Sequence, residues 1–128
     1  MSWVTNILLS VDATEDSTLV EEFDQWLRTR APRQEQPEVK GVGDLRALHH
    51  SPDAWGGVKN PEVLLWAGVL NKGDVEAVVR QFGATGWRVP QLVQLLVQDQ
   101  EQGAFRLWMI RDGRVRQYAP LPDFDADE

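Results

Sequence analysis

The stretch Val63-Leu64-Leu65-Trp66-Ala67-Gly68-Val69-Leu70 places an apolar or small residue at every position, without the alternation of a strand that keeps one side wet. Side chains alternate across a strand, so Leu64, Trp66 and Leu70 share one face while Val63, Leu65, Ala67 and Val69 share the other. Both faces are apolar, which is the pattern of an interior strand covered on both sides. Any fold for this chain has to supply two covers.

The remaining sequence offers helices for only one of them. Leu19, Val20, Phe23, Trp26 and Leu27 recur at helical spacing and predict an amphipathic helix, capped by Asp16 and ending near Thr29 ahead of Pro32. Val75, Val78, Val79 and Phe82 predict a second helix, preceded by the turn and cap Asn71-Lys72-Gly73-Asp74 and closed by Gly83. Between the helices, residues 31–38 hold two prolines and read as a loop. Val39–Leu48 is a weak strand candidate, and His49–Pro61 reads as a longer surface loop.

Trp3–Val11, Leu92–Val97 and Phe105–Ile110 read as strands, and Asp112-Gly113 is a two-residue hairpin signal that returns the chain through Arg114–Tyr118. The order β-α-β-β-α-β-β-β in 128 residues predicts one α+β domain. Its expected form is a ferredoxin-like split β-α-β antiparallel sheet with two helices on one face, extended by a C-terminal hairpin. The domain is expected over residues 1–120. Residues 121–128 are expected to form an acidic flexible tail, since Asp123, Asp125, Asp127 and Glu128 lie within it.

Twenty acidic against thirteen basic side chains give a net charge of -7, which disfavours general binding to a phosphate backbone. With no cysteine there is no disulfide framework, no thiolate nucleophile and no Cys-ligated metal. That composition suits a reducing compartment. The opening residues lack the basic region and apolar length of a signal peptide, so a cytoplasmic location is expected. Phosphate-loop, dinucleotide, nucleophile-elbow and zinc-protease patterns are all missing, which favours a non-catalytic chain without a cofactor. His49, His50 and Asp53 have the residue types of a 2-His-1-carboxylate metal site. Adjacent residues on an extended chain point to opposite sides, so no metal is expected there.

The hairpin is more informative. A turn at Asp112-Gly113 pairs Arg111 with Arg114, Met109 with Arg116 and Leu107 with Tyr118. One face then carries Phe105, Leu107, Met109 and Tyr118 with arginines at the tip, and the other carries Arg106, Trp108, Ile110, Val115 and Gln117. Arginine beside tryptophan or tyrosine is the composition of interface hot spots. The candidate partner-binding residues are accordingly Trp66, Arg106, Trp108, Arg111, Arg114, Arg116 and Tyr118. The second sheet face needs either the long loop with Trp55 or another protein chain, most simply a second copy related by a two-fold axis.

The leading expectation is a soluble, non-catalytic protein-interaction module using the helix-free sheet face and the hairpin. One version is an immunity- or antitoxin-like inhibitor that offers negative charge to a basic toxin. An alternative is a small-molecule binder or enzyme of the dimeric α+β barrel kind, with Trp66, Trp108 and Tyr118 lining its pocket and Arg106 or Arg116 anchoring an acidic ligand. A third is nucleic-acid binding through the arginine-bearing hairpin.

Overall fold

In the computed structural model, which describes residues 3–48, 55–100 and 104–118, both apolar stripes become helices, α1 (Ser17–Thr29) and α2 (Val75–Ala84). The strands are β1 (Val4–Asp12), β2 (Pro32–Arg33), β3 (Gln36–Lys40), β4 (Arg46–Ala47), β5 (Val63–Asn71), β6 (Gln94–Asp99), β7 (Arg106–Arg111) and β8 (Arg114–Tyr118). Six of them form one sheet in the order β4-β5-β1-β6-β7-β8, with every neighbouring pair antiparallel. Strands β5 and β6 therefore run parallel on either side of β1, joined through α2. Strands β2 and β3 make a separate ribbon. Among the described residues no helix is long and apolar enough to cross a membrane.

Alternation along β1 decides which side is covered. Thr5, Ile7, Leu9 and Val11 are buried, and their register partners are Leu70, Gly68, Trp66 and Leu64 on β5. On the other flank Ile7 meets Val97 and Leu9 meets Leu95, which in turn faces Trp108 on β7. Val20, Phe23 and Leu27 of α1 and Val78 and Phe82 of α2 join the same buried cluster. Both helices thus lie over one face. Each such large side chain taken out of water contributes about 1.5–3 kcal/mol before the cost of ordering it.

Trp87, in the link after α2, is 6% exposed and fills the space between the helices. Its ring lies 6.4 Å from Phe23 and 6.0 Å from Phe82, and its Nε1 donates to the Phe82 carbonyl at 2.8 Å.

Several local expectations are corrected. Residues 31–38 are not a plain loop, because β2 and the start of β3 form there around Glu35 in the left-handed region (φ 64°). Proline is tolerated in so short a ribbon, where few ladder N–H groups are needed. The expected strand Val39–Leu48 breaks after Lys40. At Gly41 φ is 94°, and a side chain there would collide with the Arg28 carbonyl. Gly83 does not end α2; it lies inside the helix. Asp16 holds the N-cap position of α1 but makes no side-chain bond to its own helix. Its carboxylate accepts instead from the backbone N–H groups of Arg88 (2.8 Å) and Val89 (3.1 Å). Finally, among the described residues the helices cover one side of β5 only: Leu70 joins the buried core on that side, while Val69 is 67% exposed on the other. His49, His50, Asp53 and the acidic tail 121–128 lie outside the described residues.

Candidate functional site

The hairpin forms as expected. Asp112 (φ 55°) and Gly113 (φ 72°) make the turn, and Arg111 pairs with Arg114, Met109 with Arg116 and Leu107 with Tyr118. Left-handed geometry at both central residues matches the right-handed twist of the flanking strands.

The seven candidate residues do not come together on one surface. Trp66, Arg106 and Trp108 point to the helix side. Trp108 is 7% exposed and belongs to the core, and Trp66 packs half-buried against that core. The Arg106 guanidinium sits 5.2 Å from the centre of the Trp108 ring, with an Nη2 atom 3.7 Å from Asp99 Oδ2. Asp99 also accepts from Thr5 Oγ1 (2.7 Å) and Trp3 Nε1 (3.3 Å). This polar cluster ties the end of β6 to β1 and β7, although Arg106 Nε is buried without a hydrogen-bond partner. Arg111, Arg114, Arg116 and Tyr118 face the opposite way. Arg111 turns back on the Ile110 carbonyl at 2.8 Å, and Arg116 lies 3.9 Å from Asp112. The pocket drawn from Trp66, Trp108 and Tyr118 is therefore divided by the sheet itself.

What the structure assembles instead is a continuous helix-free face. Register partners in directly opposed pairs project to the same side. Arg46, Ala67, Leu8, Leu96, Leu107 and Tyr118 consequently form one row that crosses all six strands. A parallel row holds Leu65, Ser10, Gln94, Met109 and Arg116. On the far side of the apolar row, Val69 and Asn6 pair. Leu48, whose N–H donates to the Leu65 carbonyl at 3.0 Å, extends the second row at the β4 edge.

Leu8, Leu65, Leu96, Leu107 and Met109 are half-buried. Among the described residues, four large apolar side chains are exposed, and three of them, Leu48 (57%), Val69 (67%) and Tyr118 (41%), stand on this face. Leu8, Leu48, Val69 and Leu96 were absent from the sequence-derived candidates. The available signal is alternation along Trp3–Val11, which puts Leu8 on the opposite face from Ile7 and Leu9.

Elsewhere, an open groove of about 480 Å³ is lined by Arg28, Arg33, Lys40, the Gly41-Val42-Gly43 backbone and Asp44. Its cations are partly committed: Arg28 is bound to Asp24 at 3.0 Å and lies 3.8 Å from Asp44, and Arg33 Nε donates to the Gly41 carbonyl at 3.0 Å. The groove also lies at the C-terminal, negative end of α1, which disfavours an anion. Among the described residues no group of three or more His, Cys, Asp or Glu side chains is placed to hold a metal. Neither a protein-family model, nor a curated protein, nor a solved structure matches the chain.

Proposed function

We propose that this chain is a non-catalytic protein-interaction module, cytoplasmic in location, whose working surface is the helix-free face of its sheet. The observation that carries the reading is the unbroken row from Ala67 through Leu8, Leu96 and Leu107 to Tyr118, with arginine at both margins. An apolar patch of this extent, rimmed by charge, is the anatomy of a docking surface. Strand order supports a ferredoxin-like reading of the scaffold, in which β1-α1-β4 and β5-α2-β6 are two interleaved split units and β7–β8 is the added hairpin. An immunity- or antitoxin-like inhibitor is one version of such a module, with the net charge of -7 offered to a basic toxin.

Light scattering on the purified chain, together with affinity capture from the source cells using wild type and Leu96→Arg as parallel baits, tests the proposal. Self-association, or a protein retained by wild type and lost with the variant, supports it. A monomer that retains nothing the variant loses removes it.

A further inference from the structure

We infer that the occupant of the open face is the same face of a second copy, related by a two-fold axis that runs parallel to the strands between β1 and β6. The inference rests on reading that face as an interaction surface. Such an axis exchanges β1 with β6, β5 with β7 and β4 with β8, and it leaves each row facing its own counterpart. Leu8 then stacks on the partner's Leu96, and Ala67 on the partner's Leu107. In the neighbouring row Leu65 meets the partner's Met109, Ser10 meets the partner's Gln94, polar group on polar group, and Leu48 meets the aliphatic stem of the partner's Arg116. The row pattern is thus complementary to itself, as an isologous contact requires.

Charge selects this axis over the other two-fold that preserves apolar stacking. An axis along the rows would lay Arg46 on its own copy, cation against cation. The axis along the strands lays Arg46, 86% exposed and ion-paired through Nε to Asp44 at 3.4 Å, within reach of the partner's Tyr118, where the flat face of the guanidinium can rest on the aromatic ring. The area approaches that of a standard interface. Six strands about 4.8 Å apart, averaging about 20 Å in length because β4 has two residues while β1 and β5 have nine, present roughly 600 Å² in projection, before side-chain relief, against about 800 Å² of accessible surface per partner.

The test is solution mass by light scattering at about 100 μM, followed by two variants, with concentration chosen to reveal a micromolar dimer. The expected wild-type mass is twice the 14.5 kDa of the chain. Leu96→Arg should be monomeric with an unchanged far-ultraviolet spectrum. Arg46→Glu, at a side chain too exposed to disturb folding, should weaken the dimer about fivefold. Because the chain holds no cysteine, Gln117→Cys, exposed on the helix side of β8 and away from the apposed face, gives a single spin-label site. The labels should lie about 26 Å apart, whereas pairing through the β8 edges would bring them within about 15 Å. A monomeric wild type, a dimer indifferent to both variants, or the shorter label distance overturns this arrangement. If wild type is monomeric yet Leu96→Arg loses a captured protein, self-pairing fails while the interaction surface stands.

Discussion

Val115 lies directly beneath Gly83: a side-chain carbon at position 83 would collide with Cγ2 of that valine. Glycine inside a helix costs about 1 kcal/mol relative to alanine, so at an unconstrained position Gly83→Ala would stabilise. Here valine is stiff about χ1 and cannot swing aside, so α2 has to lift from β8. The expected outcome is a net loss of about 1–2 kcal/mol in urea unfolding, as for other overpacked contacts. Adding Val115→Ala should recover part of it; a stabilised single variant would show that the helix does not press on the hairpin.

Asp16 supports a second tie, between the start of α1 and the chain beyond α2. It is fully buried, and both of its carboxylate oxygens accept backbone N–H groups. Asp16→Ala leaves two part-buried donors without their acceptor and should cost about 1–3 kcal/mol. Asp16→Asn keeps one acceptor oxygen and should fall between alanine and wild type. Calorimetry that ranks the two variants equally would contradict the paired geometry.

Trp108 and Tyr118 were both candidates for partner binding, yet substitution should separate them sharply. Trp108→Ala empties a core position and removes the ring beneath Arg106, with an expected loss of about 3–5 kcal/mol. Tyr118→Ala, at a side chain 41% exposed, should stay within about 0.5 kcal/mol in a dilute monomer. Denaturant titration of the pair checks the assignment of faces.

The turn offers a local test. Gly113 has φ 72°, so Gly113→Val forces a β-branched residue into left-handed geometry and should cost about 1–3 kcal/mol. Asp112→Asn suits the same geometry and should be close to neutral. Amide exchange along β7 and β8 should quicken in the first variant only.

The helices and the hairpin were legible because each is specified locally: apolar spacing for Phe23 and Phe82, a two-residue turn for Asp112-Gly113. Trp87 was not, since its place is set by Phe23 and Phe82, which lie on separate helices. Asp16 looked like an ordinary cap because its true partners, Arg88 and Val89, are distant in sequence. For the site, alternation sorted each strand into two faces but could not say which face of the hairpin matched which face of β1. Only register does that, through Leu96 opposite Leu8 and Leu107. Trp66 and Trp108 then fall on the covered side and Leu8 and Leu96 on the open one.

The central place of β1 has a kinetic consequence. Its ladders join it to β5 and β6, with no partner nearer in sequence than Val63. During synthesis α1 can settle early on Ile7 and Leu9, but both edges of β1 stay unpaired until β5 and then β6 have left the ribosome. Loop closure of that reach slows collapse to the ordered state relative to a helical bundle of equal size. For that interval the middle of the finished sheet is a sticky, unpaired segment in need of shelter.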